Sequence, residues 1–212
     1  MAEPASRATH WIDLLSTVLL ALAAVATAWA TYQAAHWRSE QGLAGNRSTA
    51  ARVQANRVAG IANRQIVIDV ETFTQWADAY ASGDTRLADF YFRRFRPEFK
   101  PAVVAWIATK PLKNPHAPLT PFTMPQYRSA ALAEADRLEA KGAAESKVSQ
   151  ANVKKADRYT LCVVLFAMAL FFAGISTRLR TDGTRAAILA TGWVLFLVAL
   201  AWMVTFPASL AT

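Results

Sequence analysis

Three long stretches of this 212-residue chain lack charged side chains, and no other feature limits its folding as strongly. No Asp, Glu, Lys or Arg lies between Asp13 and Arg38, between Arg158 and Arg178, or after Arg185. Crossing the hydrocarbon takes about 20 apolar residues in a helix, so all three predict transmembrane spans. The spans are placed at residues 12–33, 159–177 and 186–206. Backbone polar groups in lipid must bond internally, which makes helix the expected form of each. Trp11, Tyr32 and Trp37 bracket the first span at the depth where amphipathic rings settle. Residues 1–11 are then a short N-terminal tail and 207–212 a C-terminal one.

The segment left between the first two spans, residues 34–158, faces water. It holds 19 Lys or Arg against 12 Asp or Glu, and so most of the net charge of +8. Beside a membrane such an excess points first to anionic lipid headgroups. No helix-turn-helix, zinc-finger or RNA-recognition pattern accompanies it, so nucleic acid is not expected as a partner. The single cysteine, Cys162, excludes an intrachain disulfide and a cysteine-based metal site. His10, His36 and His116 are scattered, and no metal site is expected from them. No phosphate loop, HExxH or GxSxG occurs, so a non-enzymatic chain without a cofactor is expected.

Orientation pulls both ways. The short loop 178–185 holds Arg178, Arg180 and Arg185, whereas the C-terminal tail is uncharged. By the positive-inside rule the loop is cytoplasmic and the intervening domain lies on the far side. The domain's own flanks are also basic (Arg38, Arg47 and Arg52; Lys141, Lys147, Lys154, Lys155 and Arg158). Long segments cross with less regard for charge, so the loop arginines carry the greater weight.

Within the domain, residues 48–81 read as one long helix, with Val53, Ile61, Ile68, Phe73 and Trp76 one or two turns apart and Gly83 ending it. Asn56 and Asn63 are seven apart, which suits either a coiled-coil seam with register-setting asparagines or a plain solvated face. Residues 126–158 read as a second long helix, rich in alanine and preceded by Pro125. If each runs on into its neighbouring span, bent or not at Gly42 and Gly45, the pair forms an antiparallel stalk. Between them lies a tip with short helices near 87–92 and 103–108. Pro111, Pro115, Pro118, Pro121 and Pro125 follow, a density that excludes regular structure. That stretch is either a strap for a protein partner or a loop packed down through Leu112, Leu119, Phe122 and Met124.

The richest cluster of functional groups is 92–100. Arg93, Arg94, Arg96 and Lys100 alternate there with Phe92, Phe95 and Phe99. Guanidinium groups bind phosphates and carboxylates in bidentate fashion. An anion or lipid-headgroup site is one reading. The other is a helix end with inward phenylalanines and arginines paired to Asp84, Asp89 and Glu98. In the first span, Ser16, Thr17, Thr27 and Thr31 suit a pore wall or a packing face. Ala21, Ala24, Ala28 and Ala35 form a small-residue stripe, and Gly174 and Gly192 suit close packing in the other two spans. Asp13 suits either an ion site or the headgroup layer.

Three strings (Ala-Thr-Tyr-Gln-Ala-Ala at 30–35, Arg-Phe-Arg-Pro-Glu-Phe at 94–99 and Phe-Phe-Ala-Gly-Ile-Ser-Thr-Arg at 171–178) together with this layout resemble an uncharacterised class of bacterial three-span membrane proteins. The resemblance implies this architecture and a bacterial inner membrane and carries over no catalytic residues; in such a membrane the loop arginines make the intervening domain periplasmic. The expected protein is therefore an all-α membrane protein of three transmembrane helices with an inserted helical stalk and proline-rich tip. Its expected role is that of a homo-oligomeric structural or interaction component. An oligomeric channel with a basic, anion-favouring vestibule is the first alternative and an anionic-lipid binder the second.

Overall fold

The computed structural model describes residues 7–179 and 181–207, the side chains of 7–9 apart. Five α-helices run α1 (Arg7–Ala81), α2 (Thr85–Arg94), α3 (Lys100–Ala108), α4 (Ala130–Ser176) and α5 (Asp182–Val204), with a 3-10 turn at Pro121–Thr123. The described residues hold no strand. Three helices, α1, α4 and α5, are long and apolar enough to cross a membrane. The chain divides into two compact units, one of Met1–Asn46 and Glu145–Thr212, the other of Arg47–Ala144.

The first unit packs three helices around a core of small and aromatic side chains. α1 contributes Leu19, Ala23, Ala26, Ala30 and Ala34, at the three- and four-residue spacing of one helical stripe. α4 contributes Tyr159, Cys162, Phe166, Ala169 and Ala173; Leu189, Phe196 and Ala199 of α5 complete it. The alanine stripe of α1 lets the backbones approach closely, which is the main source of packing energy where lipid removes the hydrophobic drive. The expected stripe of Ala21, Ala24, Ala28 and Ala35 lies instead on the outer surface of α1. Gly192 sits where helices touch: a Cβ there would meet Leu19 Cδ2 at 3.2 Å and Phe172 Cβ at 3.3 Å. Gly174 has no such neighbour within 4 Å, so only one of the two expected close contacts is made.

Within the second unit, α1 and α4 lie antiparallel. Ser48 Oγ donates to the Gly142 carbonyl at 2.7 Å, and Arg52 approaches Glu139 at 4.0 Å. A Cβ on Gly142 would sit 2.9 Å from Arg52 Cγ. Ala51, Ala55 and Ala62 of α1 and Ala135 and Leu138 of α4 are buried. α1 runs without interruption past Gly42 and Gly45. It ends where Gly83 takes φ +79° and the Asp84 amide bonds back to the Ala79 carbonyl at 3.0 Å, a left-handed C-cap that favours glycine. Asp84 then caps α2 by accepting from the Leu87 amide at 3.0 Å.

The short helices are longer than expected, starting at Thr85 and Lys100. α4 starts later than expected, at Ala130, because Ser129 Oγ accepts from the Leu132 amide and caps it there. The proline-rich loop was expected to exclude regular structure but holds the 3-10 turn Pro121–Thr123, and only part of it packs down. Pro121 is buried and Phe122 and Met124 lie against the core, whereas Leu112 and Leu119 are exposed, Leu119 at 92%. Its anchors are the ring contacts of Phe122 and the Trp106 indole, which donates to the Pro118 carbonyl at 2.6 Å.

Candidate functional site

An aromatic cluster centres the second unit. Phe73 and Trp76 of α1 face Phe95 and Phe99 from the α2–α3 turn, Trp106 of α3, and Phe122 and Tyr127 from the loop. Phe99 stacks on Phe122 at 5.0 Å between ring centroids and meets Tyr127 edge-on at 5.5 Å. Such pairs add about 0.5–1.5 kcal/mol each beyond their area.

Asp69 is buried beside these rings, one turn before Phe73. Arg96 grips its carboxylate in bidentate fashion, Nε to Oδ1 and Nη2 to Oδ2, each at 3.0 Å. Arg96 Nη1 also donates to Glu98 at 3.0 Å. The Tyr127 hydroxyl donates to Asp69 Oδ2 at 3.1 Å. The hydrogen bond to Asp69 raises the pKa of Arg96, against desolvation. Burial, with the Asp69 charge, pushes the Tyr127 phenol up to about 12. This cluster therefore joins α1, the α2–α3 turn and the loop through one buried carboxylate.

The four predicted anion-site cations do not converge. Arg96 is committed inward to Asp69 and Glu98. Arg93 pairs with Asp89 at 2.6 Å on the α2 surface. Arg94 lies over the Phe90 ring at 3.5 Å and donates to the Phe90 carbonyl. Lys100 stands over Phe92 at 4.9 Å. It borders a shallow apolar groove of about 650 Å³ with Pro97, Pro101 and Val104. The expected pairing of arginines with Asp89 and Glu98 is present; Asp84 caps α2 instead of pairing. Sequence reasoning misses Asp69. Its signal is a lone carboxylate in the run Ile66–Val70, on the helix face that four and seven residues later carries Phe73 and Trp76.

In the first unit a second polar cluster joins three helices. Ser16 of α1 and Ser176 of α4 are buried with their hydroxyls 3.0 Å apart. Arg185 of α5 is buried, donates through Nε to the Ser176 carbonyl at 3.1 Å and pairs with Asp13. Asp182 stands 3.9 Å from it. The Arg185 charge is thus answered inside the protein, Arg178 is exposed, and Arg180 lies outside the described residues. Of the four hydroxyls placed together on α1, only Ser16 is buried. Thr17, Thr27 and Thr31 donate to the carbonyls four residues back, at 2.9, 2.7 and 2.8 Å, which satisfies them within their own helix.

A third feature is the outward side of α1 in the second unit. Val53, Val67 and Ile68 are 50–56% exposed there, and Ile61 and Val70 are exposed as well. These side chains do not join Phe73 and Trp76 on one inward face. The buried face is instead Ala51, Ala55, Ala62, Asp69, Phe73 and Trp76.

Fold and sites define an all-helical protein with three helices suited to crossing a membrane and one intervening helical unit. No family model, curated protein or solved structure matches the chain.

Proposed function

We propose that the chain is a non-enzymatic, homo-oligomeric interaction component of a bacterial inner membrane. In this reading α1 and α4 form a stalk, and the aromatic cluster with its proline-rich loop forms a periplasmic tip that meets a protein partner. The observation that supports self-association is the outward surface of α1 in the second unit, where Val53, Ile61, Val67, Ile68 and Val70 are exposed on a segment read as water-facing. Large exposed apolar surfaces in water mark interaction sites. Surrounding lipid is the other partner, and the exposed flanking cations face its headgroups.

The test is the mass of the purified full chain in mild detergent, by light scattering with the detergent contribution subtracted. An oligomer is expected; a monodisperse monomer at near-native density overturns the reading. Arg94 and Lys100, which have no ion-pair partner among the described residues, favour a second reading in which the tip contacts anionic headgroups. It predicts that Arg93→Gln, Arg94→Gln and Lys100→Gln together abolish binding to phosphatidylglycerol vesicles.

A further inference from the structure

We infer that the partner on the outward face of α1 is α1 of a second copy, running parallel and in register, with Asn56 and Asn63 each meeting its counterpart. The inference rests on the self-associating reading above and specifies its interface.

On this face Val53, Asn56, Gly60, Asn63, Val67, Val70 and Thr74 follow one another at alternating intervals of three and four residues. None is charged, and all are exposed except the half-exposed Gly60. A helix face open to water ordinarily carries charge. The exposed charges Arg57, Arg64, Glu71 and Asp78, seven residues apart, flank this seam and part it from Ile61 and Ile68, with Arg52 on its other side. An uncharged three-four seam with a charged flanking line is the pattern of a helix that pairs with another helix. The opposite side of α1, through Ala51, Ala55 and Ala62, is already buried within the chain, so the seam is a second, unoccupied face.

The asparagines select the partner. A carboxamide both donates and accepts, so one carboxamide satisfies another of the same kind. A foreign helix would need matching polar groups at two positions seven apart, whereas a second copy supplies them by symmetry. In an in-register parallel pair, residue i meets residue i of the partner. Direction follows from insertion: copies placed in one membrane with one orientation present α1 the same way. In the sequence the frame continues back through Val18, Ala21, Val25, Ala28, Tyr32 and Ala35 without a charge. The alanines among these permit close approach in lipid. Valine, glycine and asparagine bury little area in water, so confinement to the bilayer, which raises the effective concentration, is part of the mechanism.

The experiment uses the full chain carrying Cys162→Ala in proteoliposomes. Single cysteines replace Val53, Val67 or, on the stripe it shares with Ile61 and Ile68 beyond the charged line, the exposed Gln54, and copper-phenanthroline oxidation is followed by gel mobility. Positions 53 and 67 are expected to give disulfide-linked dimers and position 54 to give none. In the same vesicles Asn63→Asp in the Val67→Cys background sets like charges face to face and is expected to lower dimer yield by about tenfold or more. The Asn63→Gln variant, which keeps the carboxamide, is expected to retain most of it. Cross-linking at 54 with none at 53 and 67, in a chain that light scattering shows to be oligomeric, overturns this interface and leaves self-association standing. A monomer by scattering with no cross-link at any position overturns both.

Discussion

The molecule contains two polar clusters of similar design in its two units, and they differ in how much water each retains. In the second unit, Asp69 is wholly buried and is held by Arg96 and the Tyr127 hydroxyl. In the first, Arg185 is the buried partner, while Asp13 is about half-exposed and the backbone carbonyl of Ser176 shares the load. Each cluster joins three segments of the chain. An isolated buried charge costs several kcal/mol, whereas a charge with a hydrated partner loses far less when that partner changes. The two clusters should therefore tolerate substitution very differently.

The largest effect is expected from Arg96→Ala, which strands Asp69. Stability should fall by about 3–5 kcal/mol, read as loss of near-UV circular dichroism from the aromatic cluster and a lower melting temperature. Replacing the pair together, Asp69→Leu with Arg96→Met, should restore most of that loss, because an apolar pair of similar volume needs no compensation. If the double variant is as unstable as the single, burial of charge is not what sets this cluster apart. Arg185→Ala should cost less, about 1.5–3 kcal/mol, because it removes charged hydrogen bonds but leaves Asp13 hydrated. Thermal unfolding of the detergent-solubilised chain measures it. A loss equal to that of Arg96→Ala would erase the contrast between the units. Ser176→Ala removes one hydroxyl contact with Ser16 and should cost about 1 kcal/mol in the same assay.

Alkaline titration sharpens the same contrast. Tyr127 has its folded pKa raised from 10.0 to about 12. A phenol that holds its proton more tightly when folded contributes stability that is complete below the unfolded pKa. That contribution is lost as pH rises from about 10 towards 12. Tyr127→Phe should flatten this part of the stability profile. An unchanged alkaline slope in the variant would assign the slope to other groups.

The three long apolar helices were legible because length without charge is a local property, and the charge-free stretches placed them at 12–33, 159–177 and 186–206. So was the end of α1, because Gly83 alone supplies the positive φ a helix stop uses. The partner of Arg96 was not legible. Its nearest acidic neighbour, Glu98, is indeed a partner, but the bidentate one lies 27 residues upstream and is brought there only by folding. The same limit applies to the small residues of α1. Two alanine stripes run along that helix, and periodicity cannot say which one meets α4 and α5; the structure selects Ala23, Ala26, Ala30 and Ala34. Leu112 and Leu119 looked like anchors by hydrophobicity. Pro121, Phe122 and the Trp106–Pro118 hydrogen bond fix the loop without them.

The measurement that bears most directly on the architecture is cysteine accessibility across the membrane. In the Cys162→Ala chain, single cysteines replace exposed Ser82, between α1 and α2, and exposed Thr181, between α4 and α5. Cells with a permeabilised outer membrane are treated with a maleimide that cannot pass the inner one. Labelling at position 82 with protection at 181 is the predicted result, and it puts the intervening unit and the short loop on opposite sides of the bilayer. Equal labelling of both positions contradicts the three-span account, and labelling of 181 alone puts the intervening unit in the cytoplasm, the reverse of the proposed orientation.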